Sequence, residues 1–249
     1  MTTTWMTTPG RRTLGSPAVS RAVAPEFLVT PGLLDAVSPA ADRGGMVLGC
    51  GPHDEPLSVS VLRPEPTRLV EVGGLYLAHQ VALRAMATGA WVVIATGRPA
   101  AWQVLIRAAG ESLDGRLAPL VQVRKLAPVE LPRASEDAPL LVVHDGGAVP
   151  QELFAPRSPW QTTLYVLPYL HPQAESTANN ADLVLLQRLA AGQAQLAARM
   201  WRLPPLMGNE LAELADDGVV ALGPNLWLPL RLVTTPAERE ILGPVRRGD

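Results

Sequence analysis

The sequence predicts an α/β domain with a doubly wound, mostly parallel sheet, helices on both faces and antiparallel hairpins at the edges. Apolar strands alternate with helical patterns along the chain, as parallel sheets require. The strand predicted at 68–72 breaks at Gly73-Gly74 directly before a helical pattern, which is the strand–turn–helix layout of nucleotide-binding folds. The chain contains enough apolar residues to form the core of such a domain, since 47% of its 249 residues are hydrophobic.

Composition also limits the domain organisation and the partners. Residues 1–22 lack apolar periodicity, so we expect a disordered leader, a single domain over 23–243 and a flexible tail over 244–249. The net charge of −2 gives no reason to expect a nucleic-acid partner. Cys50 is the only cysteine, which excludes an intrachain disulfide and favours a reducing, cytoplasmic location. No run approaches the roughly 18 apolar residues of a membrane span.

The first half of the chain is predicted as a hairpin followed by a β-α-β unit. Residues 46–49 and the alternating run 57–62 form the hairpin. The helix over 75–88 has an apolar face too wide for a solvent-facing helix, so we expect it to pack between the sheet and further protein. The continuous apolar run 91–96 predicts a strand buried on both faces. A second helix over 99–109 begins at Pro99, a favoured first helical position.

The second half of the chain continues the alternation and closes with another hairpin. Apolar runs predict strands, and amphipathic periodicity between and after them predicts helices. Glycine, proline and asparagine at 223–225 predict the hairpin turn. The predicted strands are 120–124, 140–144, 162–167, 182–187, 218–222 and 227–233, and the predicted helices are part of 171–180, 192–201, 207–215 and 236–242.

Gly73 and Gly74 are the first candidate site. A working P-loop also needs a lysine for the β- and γ-phosphates and a serine or threonine for magnesium. Neither follows Gly74, and Lys125 is the only lysine of the chain. The pair is therefore either a phosphate cradle or a tight turn in which glycine lets helix and strand approach closely. The missing motif favours the turn, although a helix N-terminus attracts anions without any lysine.

Asp145 is the second candidate. It ends an apolar strand, as the magnesium-organising carboxylate of a Walker B segment does, but no glutamate follows it. The alternative is an aspartate that forms a turn with the glycines after it. His144 is interpreted as a strand-end residue and not as a catalytic base. Together Gly73, Gly74 and Asp145 are predicted to form a vestigial nucleotide site, with no catalytic residue, no metal site and no cofactor.

Other catalytic patterns find no support in the sequence. There is no G-x-S-x-G nucleophile elbow, and the four histidines have no metal-ligand spacing, so the sequence favours a non-enzymatic protein. The tryptophans are interpreted as packing anchors or as parts of a protein interface, for which the loop 156–160 is the best candidate. The tryptophans concerned are Trp102, Trp160, Trp201 and Trp227.

Two blocks of sequence carry a resemblance to a known family. The first block is GLYLAHQVALRA at 74–85, GAWVV at 89–93 and TGRP at 96–99, followed by Trp102. The second block is ADLVLLQ at 181–187. Both are similar to the cytosolic part of EccE, a component of the actinobacterial type VII (ESX) secretion machinery. The resemblance covers about residues 45–245.

The resemblance implies a non-enzymatic scaffold that contacts other secretion-system subunits, the secretion ATPase among them, and reaches the membrane only through those partners. EccE proteins usually carry transmembrane helices before this domain. This chain has a short leader there, so the resemblance implies a peripheral, cytosolic paralogue. Two other functions stay open from the residues alone. One is a nucleotide-sensing regulator with a degenerate P-loop-like fold, and the other is a transferase that uses a nucleotide-type donor.

Overall fold

The described part of the chain contains one sheet of ten strands with helices on both faces, which confirms the predicted α/β class. The predicted leader, the last residues of the predicted tail (246–249) and the first two residues of the loop 156–160 lie outside it. The computed structural model describes residues 45–110, 120–126, 131–150 and 158–245.

The strands lie within a few residues of their predicted positions. Most gain or lose a residue at an end, where hydrogen-bonded pairing begins one position from the apolar pattern. The strands are β1 (Gly45–Cys50), β2 (Pro56–Ser60), β3 (Thr67–Val72), β4 (Trp91–Thr96), β5 (Val121–Arg124), β6 (Leu140–Asp145), β7 (Gln161–Leu167), β8 (Leu183–Gln187), β9 (Gly218–Gly223) and β10 (Leu226–Leu232).

The sheet has a parallel part and an antiparallel part. Across the sheet the strands follow the order β2-β1-β10-β9-β8-β3-β7-β6-β4-β5. All pairs from β8 to β5 are parallel, and all pairs from β8 to β2 are antiparallel. The two predicted hairpins, β1–β2 and β9–β10, pair with each other through β1 and β10. They therefore extend the same side of the sheet as one antiparallel block.

The helices cover both faces of the sheet. On one face lie α1, α2 and α6, and on the other lie α4 and α5, together with Ala174 directly before α3. The helix predicted from Pro99 begins as a 3₁₀ turn, Pro99–Trp102, and becomes α-helical at α2. None of the helices in the described ranges has both the length and the apolar composition that crossing a bilayer requires. The helices are α1 (Leu75–Ala87), α2 (Gln103–Ala109), α3 (Glu175–Asn179), α4 (Ala191–Met200), α5 (Pro205–Glu213) and α6 (Pro236–Leu242).

Two polar residues of α1, Gln80 and Arg84, contact the C-terminal segment. Arg84 donates through Nε and Nη2 to the carboxylate of Glu238 on α6, at 2.5 and 2.8 Å, and through Nη1 to the carbonyl of Val47. Gln80, also on α1, donates to the carbonyl of Val233 at 2.8 Å. The wide apolar face of α1 thus packs on the sheet, while α6 and the residues before it supply the further protein that the sequence required.

Arg84 and Glu238 form a mostly buried ion pair, with 16% and 10% of their side chains exposed. Burial raises the pKa of Glu238. Hydrogen bonds from Arg84 and from the backbone of Thr235 lower that pKa by more than burial raises it, so the pKa of Glu238 is below its usual value. Thr235 also caps α6, because its side chain accepts from the N–H of Glu238. The pair therefore holds α6 against α1 in one orientation.

Replacing Arg84 with alanine should lower the free energy of unfolding by about 2 kcal/mol, because Glu238 would be left buried without its cation. Urea unfolding followed by circular dichroism measures this difference. The matched control is Arg239→Ala, which removes an exposed arginine from α6 itself and should change the free energy of unfolding by less than about 0.5 kcal/mol. Equal effects of the two substitutions would contradict this role of Arg84.

Candidate functional site

The Gly73-Gly74 turn joins β3 to α1 at the carboxyl edge of the parallel strands. Gly73 has a φ of +149° and donates its N–H to the carbonyl of Leu167 at 2.9 Å. A Cβ at Gly73 would lie 2.2 Å from Oε1 of Gln187 and 2.8 Å from its Cβ. No side chain fits in that space, so glycine is needed at 73 because the end of β8 approaches the turn so closely.

Gln187, at the end of β8, lies against the N-terminus of α1. Its Oε1 accepts a hydrogen bond of 2.6 Å from the N–H of Gly74, the residue that caps the N-terminus of α1. Only 3% of Gln187 is exposed. Phosphates bind such turns through the same backbone N–H groups. In this structure a neutral amide of the protein's own chain accepts the hydrogen bond instead.

Asp145, at the end of β6, is buried and fully engaged by neighbouring donors. Arg98 donates to both carboxylate oxygens, from Nε at 3.0 Å and from Nη2 at 2.9 Å. Oδ2 also accepts from the indole N–H of Trp102 at 2.9 Å and from the hydroxyl of Thr96 at 2.8 Å. The carboxylate thus ties the end of β6 to the end of β4 and to the 3₁₀ turn that follows β4.

The hydrogen bonds decide the charge of Asp145. Burial raises the pKa of Asp145, but the hydrogen bonds from Arg98, Trp102 and Thr96 lower it more, so its pKa lies below the usual value. The side chain is therefore an anion whose charge is balanced by a bidentate guanidinium. A magnesium ion bound here would have to displace Arg98 from both oxygens.

The structure brings the predicted site residues to one edge of the sheet. Glu71 of β3 is paired with Val166 of β7, and Asp145 of β6 is paired with Thr96 of β4. The β6–β7 register ends at His144 and Tyr165, and extending it by one residue places Asp145 in the same row as Glu71. Two strand spacings, about 10 Å, separate the backbones of Glu71 and Asp145. Gly73-Gly74 follows β3 at this edge. The turn and the carboxylate of Asp145 therefore lie at the same edge, and β7 separates their strands.

Glu71 is the least expected residue of this edge. It is fully buried on a central strand, and neither of its carboxylate oxygens has a hydrogen-bond partner of good geometry in the described part of the chain. Burial raises the pKa of Glu71 well above its usual value. The backbone N–H of Ala78 in α1 lowers it without offsetting burial, and the charge of Asp145 raises it further. Glu71 is thus a carboxyl group held toward its neutral form beneath the first turns of α1.

The sequence pattern did not single out Glu71, Gln187 or Arg98. A glutamate between two valines of a strand was the available signal for Glu71. The importance of Gln187 and Arg98 depends on which strands are neighbours, which the sequence pattern alone does not give. Lys125 follows β5 at the sheet edge, four strands from β3, so it is remote from the turn.

The other residues considered from the sequence have packing positions. His144 lies one residue before Asp145, with 2% of it exposed and its ring 5.4 Å from the ring of Tyr165. Burial lowers the pKa of His144, which favours a neutral ring. Trp102 is fully buried against His79, with the two rings edge to face. Among the described residues, no three metal-binding side chains come together in a group.

Comparison with known proteins gives a likeness of fold. No family model matches the chain, and no curated protein matches it. The fold is similar to that of VirB4 of Thermoanaerobacter pseudethanolicus, with a TM-score of 0.52 and 9% identity over 78% of this chain and 98% of that one. The cytoplasmic domain of the type VII secretion ATPase EccC of Thermomonospora curvata aligns with 86% of this chain and 32% of its own, with 13% identity and a TM-score of 0.48.

Glu71 should make the folded domain lose stability as pH rises. A carboxyl whose pKa is raised by folding keeps its proton in the folded state, while the unfolded chain releases it above about pH 4.3. Unfolding is then favoured by up to about 1.4 kcal/mol per pH unit until the folded pKa is reached. Glu71→Gln cannot ionise, so its stability advantage over wild type should grow from pH 5 to pH 8 in urea unfolding. In the exposed control Glu65→Gln, the free energy of unfolding should depend on pH as it does in wild type. If Glu71→Gln also shows the wild-type pH dependence, the raised pKa of Glu71 is refuted.

Asp145 should have the opposite pH dependence. Its pKa is lowered by folding, so its contribution is present above the unfolded value of about 3.9 and is lost as pH falls through the folded value. Asp145→Asn should cost about 2 kcal/mol at pH 7, less than for a fully buried ion pair because 38% of the Arg98 side chain is exposed. The cost should shrink below pH 4 in acid titrations of urea-unfolding midpoints. A cost that does not change with pH would argue against an ionised Asp145.

Proposed function

We propose that this chain is a non-enzymatic structural or accessory component of a type VII (ESX)-like secretion complex and that it acts through protein–protein contacts. One observation carries the proposal. The two positions at which nucleotide chemistry would take place are filled by the protein's own side chains. Gln187 accepts a hydrogen bond from the N–H of Gly74, and Arg98 donates to both carboxylate oxygens of Asp145.

The electrostatics of the edge support the same conclusion. Phosphoryl transfer depends on cations that neutralise the phosphates and on a carboxylate that organises magnesium. Here the only lysine lies four strands from the turn, and Arg98 is committed to Asp145. Glu71, a carboxyl group, lies beneath the first turns of α1. A polyphosphate approaching this turn would find no free cation among these residues.

The secretion setting of the proposal comes from the EccE resemblance of residues 74–102 and 181–187. The likeness to VirB4 supports the α/β architecture on which that resemblance is built. In this proposal the partners are other secretion-system subunits, including the secretion ATPase, and the location is the cytoplasm. We keep residues 23–243 as one domain, with a leader before it and a tail after it, as part of the proposal.

The catalytic half of the proposal is tested with purified wild-type protein, Asp145→Ala and the control Asp182→Ala. Asp182 lies directly before the first residue of β8, accepts from the backbone N–H of Arg68 at 2.7 Å and is outside the site. We expect no release of phosphate from Mg-ATP or Mg-GTP above the buffer rate with any of the three. Turnover by wild type that Asp182→Ala retains and Asp145→Ala loses would show an enzyme.

The binding half is tested in the native organism. A tagged chain at its natural level should co-purify with the secretion ATPase of that organism, detected by mass spectrometry against an untagged strain. A complex without any secretion subunit would contradict the proposed partners. A saturable rise in the Tm of wild type with nucleotides would instead favour the nucleotide-sensing regulator, because a ligand stabilises the state it binds.

A further inference from the structure

The N-terminus of α1 has a partial positive charge that no side chain of its own first turn neutralises. The helix has 13 residues, its cap is Gly74, and its first turn contains no aspartate or glutamate. The aligned peptide dipoles and the unpaired N–H groups of such a terminus favour negative charge. In the described structure, the side-chain partner of the Gly74 N–H is Gln187.

Gln187 is held at this terminus by its oxygen alone. The Oε1 atom accepts from Gly74, while the buried Nε2 has no hydrogen-bond partner in the described part of the chain. A buried amide donor without a partner is unfavourable, since it has lost its hydrogen bonds to water. The hydrogen bond that Oε1 accepts from Gly74 is therefore the interaction that positions the Gln187 side chain.

The Gln187 side chain also fills the space above the turn. Its Cβ, Cδ and Oε1 all lie within 3 Å of where a Cβ of Gly73 would be. Gly73 itself is partly exposed, so this space is next to solvent. We expect a shorter residue at 187 to leave a gap at this turn, beside the N–H of Gly74.

Neighbouring charges do not oppose an anion in that volume. Glu71 lies on the same face of the sheet, one strand from Gln187, and burial raises its pKa, which favours the neutral form. The negative charge of Asp145 is paired with Arg98. The dipole of α1 is then the main electrostatic influence at the turn.

We propose that Gln187 is an internal ligand that closes an oxyanion-binding position of the phosphate class at the N-terminus of α1. With the side chain in place, the turn is occupied from within the protein. Without it, the N–H of Gly74 and the helix terminus are free to bind inorganic phosphate. This inference rests on the proposed function, in which a side chain of the protein has taken the place of the nucleotide.

The test is a titration of four proteins with inorganic phosphate, followed by ¹H–¹⁵N correlation spectra at the Gly74 amide. Gln187→Ala should give a saturable shift of that resonance with a Kd at least about tenfold lower than wild type. Gln187→Glu keeps an acceptor on Gly74 and adds negative charge, so it should stay closed. Gln193→Ala is the matched control, because Gln193 also accepts from a backbone N–H, that of Leu170 at 2.6 Å, at a different place.

A Gly74 resonance that does not shift when phosphate is added to Gln187→Ala would overturn the proposal. Equal phosphate-induced shifts in Gln187→Ala and Gln193→Ala would also overturn it. If Gln187→Ala does not fold, Gln187→Val gives the same test with a residue that suits the end of a strand. The result is independent of the tests of function, which measure turnover and partners of wild type. Turnover by wild type would refute the proposed function, and a silent Gly74 in Gln187→Ala would refute only the internal ligand.

Discussion

The hydrogen bonds of Asp145 are the interaction on which this edge of the sheet depends. A carboxylate this deeply buried is tolerated only when donors replace the water it has lost. Arg98, Trp102 and Thr96 supply those donors, and each comes from β4 or from the turn after it. The carboxylate consequently fixes how the chain leaves β4 and where Trp102 enters the core. The same hydrogen bonds leave neither carboxylate oxygen of Asp145 without a donor.

The pKa values of Glu71 and Asp145 are shifted in opposite directions, although the two carboxyl groups lie at the same edge of the sheet. Asp145 has three donor side chains and a pKa below the usual value, whereas Glu71 has no partner of good geometry in the described residues and a pKa well above it. The difference comes from position, because the turn after β4 reaches Asp145 while α1 covers Glu71 with apolar side chains. This edge of the sheet thus combines an anion paired with a cation and a carboxyl group held toward its neutral form.

The sequence predicted local features well and the contacts at this edge of the sheet only in part. The bounds of β4 and α6 were predicted because a continuous apolar run and an amphipathic pattern are local signals. Gly73 and Asp145 were found for the same reason, since each marks the end of an apolar strand. Gln187 and Arg98 could not be found that way. Their contacts depend on β8 lying beside β3 and on β4 lying beside β6, and neighbour order is a property of the whole fold.

The strand order also has a consequence for how the chain is made. The hairpin β1–β2 opens the described part of the chain, yet the strand that joins it to the rest of the sheet is β10, more than 160 residues later. During vectorial synthesis the ribosome must therefore release nearly the whole domain before this hairpin can be incorporated. Such long sequence separation gives a high contact order and slow folding. Until β10 emerges, β1 has an open edge, and a nascent chain in that state is exposed to pairing with other chains.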